Sequence, residues 1–342
     1  MNILVTGGTG YIGSHTTVEL IKAGHTVEIL DNLFNSKIEV LDKIEKITGV
    51  KPKFHKVDLL DYSATLKAFK GEKFDAVMHF AGMKAVGESV EKPLTYYENN
   101  IQGTVNLLKA MRETGVQKLV FSSSATVYGD KGEMSGKLVE TMTTGVGVTN
   151  PYGWTKVMIE QIIRDVATSD AKFEATILRY FNPVGADKSG FIGEDPNGIP
   201  NNLMPIVTKV YQGKIDKLVI YGNDYDTKDG SCERDFIHVT DLAKGHIAAL
   251  EHSCPGVSVY NLGSGKATSV FEIIAAFEKI AGKTLPKKVG SRRVGDLAVV
   301  CADSSLAFER LGWKTELTIE DAIVDTLRYL DNNRYICDKM VV

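Results

Sequence analysis

One stretch constrains the fold more than any other. In "NILVTGGTGYIGSHTTVELIKAG" (2–24) an apolar run enters a glycine-rich turn and leaves it with apolar residues at helical spacing. Gly7, Gly10 and Gly13 stand at GxxGxxG spacing, and Gly8, Gly10 and Gly13 also satisfy GxGxxG. Glycine patterns by themselves are common in turns. Between a strand and a helix they allow a tight turn, let the backbone approach a pyrophosphate and aim a helix N-terminus at it. The next apolar run ends in "EILDNL", which puts Asp31 18 residues after Gly13. There a carboxylate can accept both ribose hydroxyls of an adenosine and repels a 2'-phosphate, so the spacing predicts NAD rather than NADP. Lys37, close by, is a cation that could instead serve a phosphate.

The same alternation continues down the chain. "NILVTG" (2–7), "TVEIL" (26–30), "KFHKVD" (53–58), "DAVMHFA" (75–81), "KLVFSS" (118–123) and "ATILRYF" (175–181) are short apolar runs, and helical patterns such as "GSHTTVELIKAG" and "NNIQGTVNLLKAMRETG" lie between them. This predicts an α/β fold, a doubly wound parallel sheet with helices on both faces. After residue 182 the texture turns to loops rich in Gly, Pro and Asn, short strands, and two late helical stretches near 268–281 and 318–330. The expected organisation is a cofactor domain over 1–182, with a returning segment near 238–266 that includes "SVYNLGSG" (258–265). A smaller mixed α/β lobe for the substrate would be built from 183–237 and 267–342.

A formal net charge of -3 gives no global attraction to nucleic acid or to anionic lipid, so a phosphate-bearing ligand must be gripped locally. Cys232, Cys254, Cys301 and Cys337 show no metal-type spacing and read as reduced thiols. No run reaches the roughly 20 apolar residues of a membrane-spanning helix, and no leader pattern precedes the first strand. The expectation is a cytoplasmic protein with no metal.

Other strand ends face the same crevice. Asp58 can meet an adenine amino group, Ala81 and Gly82 offer a small-residue floor, Lys84 follows them, and Asn99 opens a helix. "FSSSATVYGD" ends a strand in Ser122, Ser123 and Ser124, nearly indistinguishable by spacing, one of which sits at the same edge as the nicotinamide half and can hydrogen bond a substrate oxygen. In "TNPYGWTKVMIEQI", Asn150 can cap a helix with Pro151 at its first position, leaving Tyr152 and Lys156 one turn apart on one face. A free tyrosine, with a pKa of about 10, is a poor base; lowering it by roughly three units takes about 4 kcal/mol. The Lys156 ammonium and an oxidised nicotinamide ring can supply that. Tyr152 would then take a proton from a substrate hydroxyl while the same carbon gives its hydride to NAD.

TGGTGYIG, LDN, the SSSATVYG strand and the YxxxK helix resemble the extended short-chain dehydrogenase/reductase family, whose fold is Rossmann-type. "HFAGMKAVGESVEKPLTYYENN", "LRYFNPVGA", "GIPNNLMP", "ERDFIHVTDLA" and "YNLGSG" are similar to its members that epimerise UDP-hexoses at C4. The likeness spans essentially the whole chain. It implies that UDP-galactose and UDP-glucose interconvert through a 4-keto intermediate on tightly bound NAD, and that the chain pairs as a homodimer through helices over 95–114 and 152–168. It implies Ser124, Tyr152 and Lys156 as catalytic residues. It implies Gly7, Gly10, Tyr11, Ile12, Gly13, Asp31, Asn32, Asn35, Ser36, Asp58, Leu59, Phe80, Ala81, Gly82, Lys84, Asn99, Ser122, Tyr180 and Phe181 for NAD. For the nucleotide sugar it implies Lys84, Ser124, Asn182, Asn202, Leu203, Val219, Ile220, Tyr221, Arg234, Phe236, Arg293, Asp296 and Val300.

Two positions depart from the commonest bacterial pattern: Phe236 stands where a tyrosine is frequent, and Val300 where enzymes restricted to glucose and galactose carry a bulky tyrosine. The smaller Val300 implies room for UDP-N-acetylglucosamine and UDP-N-acetylgalactosamine. A 4,6-dehydratase would need an acid/base pair beside the serine, where this chain has Ala125 and Thr126. A reductase using NADPH is opposed by Asp31, and a non-catalytic NAD sensor by the intact Ser, Tyr and Lys.

Overall fold

The computed structural model describes residues 1–130, 136–197, 202–293 and 296–337. Its frame is a seven-stranded sheet built from β1 (Asn2–Thr6), β2 (Thr26–Asp31), β3 (Lys53–Lys56), β4 (Ala76–His79), β5 (Lys118–Ser124), β6 (Glu174–Tyr180) and, arriving late in the chain, Gly256–Leu262. The first six strands are linked by α1 (Tyr11–Lys22), α2 (Val40–Thr48), α3 (Tyr62–Lys70), α4 (Val86–Glu91), α5 (Pro93–Tyr97), a π-helical turn (Glu98–Gln102), α6 (Gly103–Thr114), a 3-10 turn (Ala125–Tyr128) and α7 (Pro151–Ser169). Then follow β7 (Asn182–Val184), α8 (Leu203–Tyr211), β8 (Leu218–Tyr221), β9 (Glu233–His238), α9 (Val239–Glu251), the late strand β10, β11 (Ala267–Ser269), α10 (Val270–Ala281), β12 (Lys287–Gly290), β13 (Val299–Val300), α11 (Ser305–Leu311) and α12 (Ile319–Cys337).

The large sheet has the order β10-β6-β5-β4-β1-β2-β3, and every pairing in it is parallel. Apart from the edge strand β3, which is polar and part-exposed, its strands are largely buried on both faces because helices cover both faces. Ile3, Val5, Val27 and Ile29 pack with Val18 and Leu20 of α1 and Leu242 of α9. The alternate residues Leu4, Leu30, Val77 and Leu119 pack with Leu107 of α6 and Ile159 of α7. Strand order reverses between β2-β1 and β4-β5, which opens a crevice beyond the strands' C-terminal ends.

A third apolar cluster sits apart, with Val207 of α8, Ile220 of β8, Phe236 of β9, Phe277 of α10 and Ile323 of α12. Around it, β11-β9-β13 and β7 form one small sheet and β12-β8 another. Several boundaries differ from the sequence expectation. The run at 53–58 ends as a strand at Lys56, so Asp58 lies in the turn beyond it. "NNIQGTVNLLKAMRETG" does not start as a regular helix, because the π-helical turn precedes α6. The late stretch at 318–330 continues to Cys337, and α8, α9 and α11 are helices that periodicity did not single out. No helix among the described residues is long and apolar enough to cross a membrane.

Candidate active site

The glycine turn is built as a cradle. Gly7 has φ +71°, and a Cβ there would lie 2.7 Å from the Ala81 nitrogen, so the turn can press against the end of β4 only without a side chain. Gly10 caps α1 without a side-chain hydrogen bond, leaving the first helical N–H groups to face the crevice. Asp31, at the end of β2, is already committed to this loop. One carboxylate oxygen accepts from Thr9 N at 3.2 Å, and the other accepts from Leu33 N at 2.8 Å and Ser36 Oγ at 3.2 Å. Asn32 donates to Asp58 at 2.9 Å, joining the next two strand ends. These features fit the adenosine and pyrophosphate of NAD. Lys37 is ion-paired with Asp195 and so is not a free partner for a 2'-phosphate.

The far side of the cradle is pinned by a residue the sequence did not single out. Asn100 accepts from Met83 N at 2.8 Å, and it donates to Met83 O at 3.0 Å and to Thr155 Oγ1 at 3.1 Å. It therefore ties the Ala81–Lys84 segment to α7, while its neighbour Asn99 faces the crevice. The π-helical turn, which widens the helix by one residue per turn, is what separates the duties of the two adjacent asparagines. Lys84 pairs with Glu194 at 3.3 Å, and Asn202 donates to the same carboxylate at 3.1 Å. Tyr11 donates to Gly185 O at 2.7 Å, fastening α1 to the segment after β7.

At the end of β5 the structure separates the three serines. Ser122 Oγ bonds the Tyr180 hydroxyl, and Ser123 Oγ donates to buried Glu160 at 2.6 Å on the opposite face. Ser124 caps the 3-10 turn, accepts from Thr126 Oγ1 at 3.0 Å and is hydrogen-bonded to Tyr152. Asn150 accepts from Gly153 N at 2.8 Å with Pro151 at the first position, which starts α7 where Tyr152 faces β5. Lys156 Nζ donates to Ser122 O at 2.6 Å and lies 5.9 Å from the Tyr152 ring centre. Burial raises the Tyr152 pKa, with the Ser124 bond opposing, and burial lowers Lys156 to about 8, with Glu160 opposing. The chain's own groups therefore leave Tyr152 a phenol, and a further positive charge is needed to make it a base.

The residues expected at the nucleotide sugar come from distant segments. Asn182 opens β7, Asn202 caps α8 ahead of Leu203, and Val219, Ile220 and Tyr221 lie in β8. Arg234 of β9 and Arg293 both turn to Asp296, at 3.6 and 2.9 Å. Asp296 thus orients two guanidinium groups. Arg293 also stacks 5.0 Å over the Tyr221 ring. Arg292, another residue the sequence reading passed over, lies 4.1 Å over the Tyr225 ring and pairs with Asp224. Val300 is the register partner of Arg234. The residues that the resemblance implies for catalysis, NAD and sugar all line one continuous crevice of about 3400 Å³, whereas Gly8 and Ser123, also candidates by their spacing, do not.

Comparison with known proteins agrees with this geometry. The family model described as the NAD dependent epimerase/dehydratase family matches residues 3–263. The UDP-glucose 4-epimerase of Yersinia enterocolitica is 50% identical over 98% of this chain and 100% of its own length. The crystal structure of UDP-glucose 4-epimerase from Bifidobacterium longum in complex with NAD+ and UDP matches with a TM-score of 0.93 at 48% identity, over 98% of this chain and 99% of that one. That of the Stenotrophomonas maltophila enzyme, with bound NAD and formylated UDP-arabinopyranose, matches with a TM-score of 0.94 at 44% identity, over 98% and 99%. The chain belongs to the NAD dependent epimerase/dehydratase family.

Proposed function

We propose that this protein is an NAD-dependent UDP-glucose 4-epimerase that interconverts UDP-galactose and UDP-glucose. The observation that carries the reading is the joining, in one crevice, of Ser124, Tyr152 and Lys156 with the glycine cradle on one side and Arg234 and Arg293 on the other. The glycine turn, Asp31 and Asp58 hold the adenosine diphosphate half of NAD, and Phe80 to Lys84, Ser122 and Phe181 flank the other half. Bound NAD supplies a hydride acceptor, and then a donor, at C4 of the sugar. Tyr152 removes the C4 hydroxyl proton and returns it after the 4-keto sugar has turned over, while Ser124 Oγ orients the oxygen. The guanidinium forks of Arg234 and Arg293 hold the diphosphate throughout, so the sugar can rotate without escape. Purified protein should interconvert the two sugars without added NAD, and Tyr152→Phe should lose nearly all kcat; net formation of NADH during turnover would refute the reading. A dehydratase is disfavoured because Thr126 donates to Ser124 where an acid/base pair would be required.

The same reading extends to acetylated sugars, because Val300 is a small side chain lining the crevice beside Arg234. UDP-N-acetylglucosamine and UDP-N-acetylgalactosamine should turn over, and Val300→Tyr should abolish that while sparing the glucose pair. Undetectable turnover of the acetylated sugars by the parent protein sinks this extension. The division of labour follows as a cofactor domain (1–182 with 238–266) and a sugar lobe (183–237 and 267–342). The protein works as a cytoplasmic homodimer. Pairing through α5, α6 and α7 is favoured by Leu94 and Met158, which are 81% and 39% exposed on two of those helices. Equilibrium sedimentation at the monomer mass would overturn it.

A further inference from the structure

Behind the reacting edge lies a buried ionic cluster that the proposed chemistry does not use. Glu160 follows Lys156 by one helical turn, as Lys156 follows Tyr152, so the three share one face of α7. Arg179 of β6 grips its carboxylate with two bonds, Nε to Oε1 at 3.0 Å and Nη2 to Oε2 at 2.6 Å. Ser123 Oγ adds a third at 2.6 Å. The remaining Arg179 nitrogen donates to Tyr128 Oη at 3.2 Å and Glu140 O at 3.3 Å. Ser123 and Arg179 are register partners in the β5–β6 ladder, so both reach Glu160 from adjacent strands. Glu160 is 3% exposed and Arg179 2%. Ion pairs stripped of water this thoroughly rarely stabilise a fold more than apolar residues of the same size would. Their placement here has a positional consequence instead.

Ser123 supplies the nitrogen of the peptide whose carbonyl, Ser122 O, seats the Lys156 ammonium, and its own carbonyl leads into Ser124. One hydroxyl, clamped by Glu160, therefore fixes the backbone on both sides. Arg179 neutralises Glu160, so Lys156 is not drawn into an ion pair one turn along its own helix and stays over Ser122, toward Tyr152.

We infer that Ser123, held by the Glu160–Arg179 pair, is a positioning residue that keeps Lys156 Nζ and Ser124 Oγ in register with Tyr152 and thereby sets the pH at which Tyr152 becomes a base. The inference rests on the reading of Tyr152 as the proton carrier. The titratable and charged groups facing Tyr152, Lys156 and the carboxylate behind them are Glu160 and, 3.8 Å from it, Arg164 on α7 itself, Arg179 and Tyr180 from β6, Tyr96 from α5 and His79 from β4. Burial takes His79 down to about 3, so it stays neutral, and burial raises both Tyr96 and Tyr180, so they stay protonated at neutral pH. Lys156 is then the cation whose distance from Tyr152 responds to Ser123.

The test uses the full chain loaded with NAD and the variant Ser123→Ala, which removes one hydroxyl and adds nothing. The acid limb of kcat/KM for UDP-galactose should move up by about one pH unit, with roughly tenfold lower kcat at neutral pH, recovery at higher pH, and KM nearly unchanged. The ultraviolet phenolate signal of Tyr152, taken as the difference from Tyr152→Phe, should shift equally, and Ser123→Thr should restore both readouts. Coincident limbs and coincident phenolate titrations in Ser123→Ala and the parent would overturn the inference, as would a loss of kcat and thermal stability with neither curve moved. If the parent shows no epimerase turnover, the proposed function fails, and the phenolate titration still decides the role of Ser123.

Discussion

Replacing Lys156 by methionine should nearly abolish activity and yet relieve the fold of a burden. The Lys156 side chain is 6% exposed, and burial takes its pKa from the ordinary 10.5 to about 8. That displacement corresponds to about 3 kcal/mol of unfavourable interaction with the charged form. The native state binds this proton less tightly than the unfolded chain does. The penalty is therefore complete below about pH 8 and fades as pH rises toward 10.5, so the group makes the parent protein more stable across that window. Methionine has no such penalty, but it leaves Ser122 O without its donor, which costs about 1–3 kcal/mol at every pH. The offsetting cost does not depend on pH, so the clean quantity is a difference of slopes. In urea unfolding of NAD-free protein, the stability of Lys156→Met relative to the parent should fall by roughly 2–3 kcal/mol between pH 7 and pH 10. Parallel curves would refute the argument, because they would mean that the native lysine keeps its ordinary pKa. The same ammonium lies 5.9 Å from the Tyr152 ring centre, and two unit charges roughly 6 Å apart attract by about 3 kcal/mol at an effective dielectric near 20. Losing it should cost about two orders of magnitude in kcat/KM at pH 7. A loss under tenfold would show that Lys156 does little for the phenolate.

Other residues lead to equally specific expectations. Gly7→Ala places a Cβ 2.7 Å from the Ala81 nitrogen at φ +71°, so it should cost at least about 1–2 kcal/mol in thermal unfolding and speed the release of NAD into dilute solution. Asp195→Ala frees Lys37 and should raise the affinity for NADP relative to NAD in calorimetry, more so when combined with Asp31→Ser; an unchanged ratio in the double variant would contradict the assignment of Asp31. Asp235 is fully buried, and one of its carboxylate oxygens accepts from Gly265 N at 2.9 Å and Ala302 N at 3.1 Å. Asp235→Asn would turn an amide toward those donors, with a loss of roughly 3–6 kcal/mol in urea unfolding.

Most of the sheet was legible because β1, β2, β4 and β5 are short, almost wholly buried runs, each followed by a glycine turn, a helix-period stretch or a capping signal, whereas β3, KFHK, is part-exposed and was placed only by the alternation around it. Tyr152 and Lys156 were legible for a related reason, since four residues on a capped helix bring two side chains to one face. What the sequence left open depended on pairing between segments. Ser122, Ser123 and Ser124 look alike in line, and only the pleat, which sends Ser123 toward Arg179 and its neighbours the other way, distinguishes them. Arg179 sits within an apolar run, and nothing in that run marks its partner Glu160, 19 residues back in the chain. Asn100 was masked by Asn99, because a π-helical turn has no simple apolar period. Helices α8 and α9 were missed for the opposite reason. Their apolar residues lie among loops and β-like runs such as "ERDFIHV", where α9 starts directly from the last residue of β9.

The position of Val300 shows why a small change there should read as a change of space rather than of shape. On one side β13 pairs with β9 through Val299–Glu233 and Val300–Arg234. On the other side, Leu138 N donates to Cys301 O at 2.9 Å and Asp303 N donates to Leu138 O at 2.9 Å, while Asn261 Nδ2 holds the same Leu138 carbonyl at 2.8 Å. Asp235 takes Ala302 N from below. The segment carrying Val300 is thus fastened to β9 and to the connection that leads from Ser124 to Tyr152, which Asn261 of β10 holds in turn. A larger side chain at 300 cannot be relieved by a retreat of its backbone without breaking one of these bonds. Its added volume must go into the crevice, into the space that the proposed reading leaves for a substituent at C2 of the sugar. If Val300→Tyr instead impaired all four UDP-sugars alike, the backbone would have moved with it, and the disturbance would have reached Tyr152 along Leu138.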